Sequence, residues 1–196
     1  MTQPASRPPE VNIILSTLAR LLFRLFGWQP QGSVPPLAQF VVVAAPHTSN
    51  WDGLIVIMMS LVLRVKLHWM GKHTLFRPPF GFILRALGGI PINRSASHNA
   101  VQQAVQSFRD HENWVLVVAP EGTRSKTTRW KTGFYHIALG AGVPLVLGFV
   151  DYRRKSAGLG PVIEPTGDIE ADMAAIRAFY TGIIGRHPEK MSDISL

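Results

Sequence analysis

The hydrophobic residues of this chain form short runs separated by polar segments, and the pattern of the runs predicts the elements. Compact apolar runs predict buried strands at residues 40–45, 67–70, 114–119 and 144–150. Longer apolar stretches or helical periodicity predict helices at residues 53–63, about 97–111, 133–139 and 168–185. Strands that alternate with helices are typical of α/β proteins. We therefore expect a single α/β domain with a mostly parallel central sheet flanked by helices.

The first 36 residues differ in pattern from the rest. Residues 1–10 contain three prolines and few apolar groups, which indicates a loose arm. Residues 11–28 are strongly apolar, and only Arg20 and Arg24 interrupt their second half, on one face of a helix. The Gly- and Pro-rich residues 29–36 are expected to be a linker. The predicted organisation is thus an arm with an N-terminal amphipathic helix (1–36), followed by the main domain (37–196).

The apolar segment 11–28 has two interpretations. Each arginine would cost about 2.5 to 3.5 kcal/mol at the centre of a bilayer on insertion scales, so a membrane-spanning helix is disfavoured. We expect an interfacial helix with Leu, Phe and Trp side chains among the acyl chains and both arginines at lipid phosphates. The alternative is a helix that docks on the core of its own domain. A signal peptide is disfavoured because no small-residue cleavage site follows the run.

Composition and charge favour a lipid partner. Hydrophobic residues make up 46% of the chain, charged residues 16%, and the net charge is +8. The basic residues are scattered beside apolar runs, whereas nucleic-acid binders gather them in a stripe, so we expect an anionic membrane surface and no nucleic acid. The chain has no cysteine, which excludes thiolate chemistry, and its histidines lack the spacings of metal sites. Neither a metal nor a cofactor is expected.

A polar turn, residues 46–52, follows the strand predicted at residues 40–45. Proline ends a strand and Asn50 and Asp52 suit a helix N-terminus, so about one helical turn separates His47 from Asp52. At that spacing the carboxylate can accept the Nδ1–H of the imidazole, which leaves Nε2 free to take a proton from a hydroxyl group. The alternative is structural, with His47 capping the turn and Asp52 offsetting the helix dipole.

Two further strand ends carry polar groups, which are Arg94 after residues 88–92 and Glu121, Gly122, Thr123 and Arg124 after residues 114–119. The carboxyl ends of parallel strands meet at one edge of a sheet, so these groups are expected near His47. Two arginines and the backbone amides near Gly122 could hold a phosphate group. Each arginine alone is more often a solvated surface residue.

These segments resemble the sequence boxes of the glycerolipid acyltransferase family, whose best-known members are 1-acylglycerol-3-phosphate acyltransferases. Residues 47–52 are similar to its H-x4-D box, and residues 121–125 match its E-G-T-R-S box without a mismatch. Lys72 and the Pro-Phe-Gly residues 79–81 are similar to a segment that precedes the family's arginine box. Residues 89–94 lack the aromatic residue of that arginine box, and residues 143–147 lack the second proline of the V-P-I-V-P box.

The resemblance implies an O-acyltransferase of phospholipid biosynthesis. Its donor would be acyl-CoA or acyl carrier protein, and its acceptor a lysophospholipid such as 1-acylglycerol-3-phosphate. His47 would be the general base, with Asp52 orienting it. The implied substrate-binding residues are Lys72, Arg94, Glu121, Gly122, Thr123 and Arg124, of which the two arginines would hold the acceptor phosphate. Glu121 could instead be structural and pair with an arginine across the site.

Other functions are also considered. The acceptor could carry a different head group, or the enzyme could transfer acyl chains between phospholipids. A monotopic lipid-binding protein without activity is a second alternative, although such a copy would be expected to lose His47 or Asp52. If Ser49 were acylated, ping-pong kinetics would follow. In all these cases we expect a peripheral or monotopic protein at the cytoplasmic face of the inner membrane.

Overall fold

The computed structural model of the chain describes residues 10–92 and 97–196. The strands in these residues are β1 (Gln29–Gln31), β2 (Gln39–Ala45), β3 (His68–Lys72), β4 (Gly89–Ile92), β5 (Trp114–Val118), β6 (Leu145–Asp151) and β7 (Ser156–Ile163). They form one sheet in the order β1-β7-β6-β2-β5-β3-β4. The five strands from β6 to β4 run parallel, whereas β7 pairs antiparallel with β6. The expected α/β domain with a mostly parallel sheet is confirmed.

Helices cover both faces of the sheet. They are α1 (Ile13–Leu25), α2 (Asn50–Leu63), α3 (Gly81–Ala86), α4 (Ser97–Asp110), α5 (Gly133–Ala141) and α6 (Ile169–Tyr180), with 3-10 turns at His73–Phe76 and Pro188–Lys190. The central strand β2 alternates its side chains between the faces. Val41 and Val43 pack in the cluster that includes α4, α5 and α6, whereas Phe40 and Val42 face the side of α2.

Three details of the sequence interpretation need correction. The expected linker 29–36 contains β1, which pairs with β7 through backbone groups that its polar side chains do not reveal. Strand β7 was not predicted, because two glycines and a proline lower the β propensity of residues 156–163. Helix α6 ends at Tyr180 and not at residue 185, and Gly182 has a positive φ of 83°. The domain boundary after residue 36 stays a prediction.

The N-terminal apolar segment forms α1, and its buried face is narrow. Ser16, Ala19 and Phe23 are buried, and Ala19 and Phe23 pack in the cluster that contains α2 residues. The other sides of the helix carry large apolar side chains that are exposed, namely those of Ile13, Ile14, Leu15, Leu18, Leu21 and Leu25. Arg20 donates a hydrogen bond of 3.0 Å from Nη2 to the carbonyl oxygen of Val62, and the contact of both arginines with lipid phosphates stays a prediction.

Within residues 10–92 and 97–196, every helix is too short or too polar to cross a bilayer.

Candidate active site

His47 and Asp52 lie where β2 ends and α2 begins. Ser49 is the N-cap of α2, and its hydroxyl accepts a hydrogen bond from the amide of Trp51 at 3.2 Å. Asp52 closes the capping box, since its Oδ2 accepts the amides of Thr48 and Ser49 at 2.7 and 2.8 Å. The same oxygen lies 3.3 Å from Nδ1 of His47. Asp52 therefore caps the helix and contacts His47 with the same oxygen.

The Asp52 carboxylate is buried but well supplied with donors. It is 3% exposed, and its other oxygen, Oδ1, accepts a hydrogen bond of 2.8 Å from the hydroxyl of Tyr152. Burial by itself raises the pKa of Asp52, but the hydrogen bonds from His47, Tyr152, Ser49 and Thr48 outweigh it, and the pKa lies below its ordinary value. Asp52 is thus an anion that can orient and stabilise the imidazole of His47.

A second buried carboxyl group, that of Glu121, supports the same loop. Its Oε1 accepts a hydrogen bond of 3.0 Å from the main-chain amide of His47, and the residue is 3% exposed. Oε2 is buried and has no hydrogen-bond partner in the described part of the chain. Burial raises the pKa of Glu121, and the amide of His47 only partly offsets that rise.

An apolar cavity of about 560 Å³ opens beside this pair, between the sheet, α2 and α3. Its volume falls within the range of about 300–1,000 Å³ that is usual for small-molecule sites. The lining is mostly aliphatic and aromatic, from β2, β5, α2 and the α3 region. The polar residues of the lining are His47, Asn50, Asp52, Ser60 and Arg124. The imidazole is 25% exposed, so solutes can reach it.

The structure brings some of the predicted site residues together and separates others. His47, Asp52 and Arg124 line the same cavity, whereas Glu121 lies behind the His47 loop. Gly122 has a positive φ of 65° and lines a second cavity. The hydroxyl of Thr123 accepts a hydrogen bond of 3.3 Å from the amide of Ser125 within the turn.

Lys72 is exposed at the last position of β3 and is not among the residues that line the cavity beside His47. Arg94 lies outside the described residues. The substrate-binding roles of Lys72, Arg94, Glu121, Gly122, Thr123 and Arg124 stay predictions.

Sequence reasoning missed Tyr152 as a residue of this site. It lies 100 residues from Asp52 along the chain, at the turn between β6 and β7. No motif in the sequence singles it out. The one signal that could have found it is its position directly after β6, because the other polar groups of the site also follow parallel strands.

The geometry defines a class of site. A histidine whose Nδ1 faces a buried carboxylate can take a proton from a hydroxyl group at Nε2, and the adjoining apolar cavity can hold an alkyl chain. A general base beside such a cavity, at the carboxyl edge of a parallel sheet, is suited to chemistry on the hydroxyl group of a lipid. The model of the family described as Acyltransferase matches residues 31–146, and the chain belongs to that family.

Relatives of this chain carry matching names. It is 28% identical over 149 residues to the 1-acyl-sn-glycerol-3-phosphate acyltransferase of Haemophilus influenzae, which covers 71% of this chain and 60% of the relative. The enzyme of the same name from Escherichia coli is 29% identical over 132 residues, covering 62% and 52%. The chain thus spans between half and two thirds of the length of these relatives.

The fold has a solved counterpart in the 1-acyl-sn-glycerophosphate (LPA) acyltransferase of Thermotoga maritima. The TM-score is 0.62 at 21% identity, covering 87% of this chain and 77% of the other. At that identity the likeness concerns the fold alone. The resemblance to the glycerolipid acyltransferase family is confirmed by the family match and by the names of the relatives.

Proposed function

We propose that this chain is an O-acyltransferase that moves a fatty acyl group from an acyl thioester to the hydroxyl group of 1-acylglycerol-3-phosphate. The observation that carries the proposal is the contact of 3.3 Å between His47 Nδ1 and Asp52 Oδ2 beside the apolar cavity. The names of the relatives support the choice of acceptor.

His47 acts as the general base of the transfer. Its Nε2 takes the proton of the acceptor hydroxyl while the hydroxyl oxygen attacks the thioester carbonyl. Asp52 keeps the proton on Nδ1 and stabilises the imidazolium ion that forms. The carbon–sulfur bond then breaks, and the proton passes from His47 to the leaving thiolate. A thioester is already activated, so an acyl-enzyme is not needed, and Ser49 serves as the helix cap.

The cavity beside His47 accommodates an acyl chain. Each methylene group moved from water into apolar surroundings gains about 0.8 kcal/mol, so a chain of several methylenes binds with several kcal/mol. Arg124 is exposed at the polar side of this cavity, where a guanidinium can bind a phosphate in bidentate fashion. Arg124 therefore holds the acceptor phosphate, together with Arg94 as the family resemblance implies.

The chain works at the surface of an anionic membrane. The exposed apolar side chains of α1 provide area that can enter the acyl boundary. A basic residue lies beside the end of this helix, since Nζ of Lys155, in the turn after β6, donates a hydrogen bond of 3.4 Å to the carbonyl oxygen of Phe26. Peripheral attachment to the cytoplasmic face of the inner membrane fits both features.

The test is an acyl-transfer assay on liposomes. The purified full chain is mixed with labelled acyl-CoA or acyl carrier protein and with several lysolipids in parallel, and the products are identified by mass spectrometry. We expect 1-acylglycerol-3-phosphate to be acylated fastest, and His47→Ala to lose activity by about 10²- to 10⁴-fold with an unchanged circular dichroism spectrum. An active His47→Ala variant, or lipid binding without turnover in the unmodified chain, contradicts the proposal.

A further inference from the structure

Among the described residues, Tyr152 is the one side chain that donates a hydrogen bond to Oδ1 of Asp52. The other partners of this carboxylate face Oδ2. We propose that Tyr152 is a positioning residue that holds this carboxylate in the plane that His47 requires. The inference rests on the proposed function of the His47–Asp52 pair. It adds Tyr152, which lies 100 residues from Asp52 in the sequence, to the residues that arrange the site.

The two oxygens of Asp52 have separate partners. Oδ2 faces the amides of Thr48 and Ser49 and the imidazole Nδ1, at 2.7 to 3.3 Å. Oδ1 faces the Tyr152 hydroxyl at 2.8 Å. Rotation about the Cβ–Cγ bond sets the plane of the carboxylate, and a donor at each oxygen restrains that rotation more tightly than donors at Oδ2 alone. Because catalytic groups must be held within a few tenths of an ångström, that plane matters for the base.

The hydroxyl of Tyr152 is a permanent donor. Burial and the hydrogen bond to Asp52 raise the pKa of Tyr152 above its ordinary value of 10.0, so the hydroxyl keeps its proton at neutral pH. The charged and titratable groups around it are Asp52, His47 beyond the carboxylate, and Arg186, whose guanidinium lies 5.8 Å from the ring centroid.

The ring of Tyr152 is fixed from several sides. Its backbone amide donates a hydrogen bond of 2.9 Å to the carbonyl oxygen of Ile184. The ring of Trp28 meets that of Tyr152 edge to face at 5.2 Å between centroids, and Trp28 in turn packs 6.0 Å from Phe23 of α1. Tyr152 in turn contacts Asp52, and Asp52 contacts His47. A continuous series of side-chain contacts therefore connects the N-terminal helix with the His47–Asp52 pair.

Tyr152→Phe tests the inference because it keeps the ring and removes only the hydroxyl. We expect kcat to fall about 10-fold, which corresponds to about 1.4 kcal/mol, while the acceptor KM changes less than about twofold. The matched control is Tyr135→Phe. Tyr135 donates a hydrogen bond of 2.7 Å to a different buried carboxylate, that of Asp172, away from the cavity beside His47. This variant should keep the wild-type kcat per folded molecule.

A second readout does not depend on activity. Nitrogen-15 NMR of the histidines, with the His47 signals assigned from the His47→Ala variant, reports which ring nitrogen carries the proton. We expect one tautomer, with the proton on Nδ1, in the wild type and in Tyr135→Phe, and a mixture of tautomers in Tyr152→Phe.

The outcomes separate the inference from the function. Wild-type imidazole signals in Tyr152→Phe overturn the positioning role, whether or not kcat falls. An equal loss of kcat in Tyr135→Phe also overturns it. Loss of a tyrosine–aspartate hydrogen bond anywhere in the protein would then lower kcat through the stability of the fold, and not through the orientation of Asp52. If the unmodified chain transfers no acyl group, the proposed function fails, and the imidazole signals alone decide the role of Tyr152.

Discussion

The main-chain amide of His47 donates a hydrogen bond of 3.0 Å to Oε1 of Glu121, so the two polar segments that the sequence singled out are in direct contact. The two residues are 74 positions apart in the chain, and parallel pairing of β2 with β5 brings them together. Glu121 is buried against the loop that presents the imidazole and does not line the cavity. This contact gives Glu121 a role that can be separated from substrate binding.

We expect Glu121→Ala to lower kcat about 10-fold with little change in the acceptor KM. The substitution leaves the amide of His47 without its acceptor, and the loop that carries His47 is then less well ordered. Glu121→Gln keeps an acceptor oxygen and should retain more of the activity. Steady-state kinetics on both variants provide the measurement. A rise in KM with an unchanged kcat would instead support the substrate-binding role that the family resemblance implies.

With 1-acylglycerol-3-phosphate as the acceptor, Arg124→Ala should raise the acceptor KM about 10-fold or more, because a charge-assisted contact to phosphate is lost. The matched control is Arg129→Ala. Arg129 is an exposed arginine of the same loop, but it lines the second cavity and not the one beside His47. Assays with an acceptor that lacks the phosphate should show little difference between the two variants. Equal effects of both substitutions on the acceptor KM would rule out a specific contact at Arg124.

The double substitution Leu21→Glu and Leu25→Glu should weaken binding to anionic liposomes at least about 10-fold, because it puts two carboxylates on the apolar face of α1. Both side chains are exposed, Leu25 by 75%, so the thermal stability should change little. Leu139→Glu is the control, since Leu139 is a leucine on α5 that is 46% exposed. Cosedimentation with vesicles measures the effect. Binding that survives the double substitution would assign the membrane contact to another surface.

Asp52→Asn should lower the free energy of unfolding at pH 7 by about 1–3 kcal/mol, since the variant loses a charged acceptor for buried donors. The pKa of Asp52 in the folded state lies below its ordinary value of 3.8. Its carboxylate therefore stabilises the fold fully above that value, and this stabilisation is lost as the pH falls through the folded pKa.

Urea titrations from pH 7 down to pH 3 check this expectation. The difference in unfolding free energy between the wild type and Asp52→Asn should shrink below about pH 3.8. Asp193→Asn, which changes an exposed carboxyl group, serves as the control and should differ little from the wild type throughout. A difference that stays constant over the whole range would contradict the low pKa of Asp52.

The interaction of His47 with Asp52 was predictable because it is local. Four residues lie between the two side chains, and the turn that leads into the helix at Asn50 brings them close together. The parallel sheet was predictable for a similar reason, since runs such as residues 40–45 and 145–150 are apolar on both faces. The strands β1 and β7, which lie at one end of the sheet, were not predictable, because backbone pairing in polar or glycine-rich segments leaves no hydrophobic pattern.

The sequence by itself determined the α/β class, the placement of the polar groups after strands, and the proximity of His47 to Asp52. Each of these depends on the hydrophobic pattern of the elements, on their order in the chain or on a short sequence separation. Only the tertiary structure decided that Tyr152 donates a hydrogen bond to the carboxylate of Asp52, that Glu121 accepts one from the His47 loop, and that the apolar face of α1 stays exposed. These are contacts between elements far apart in the chain, and packing determines them by distances and burial that no local pattern encodes.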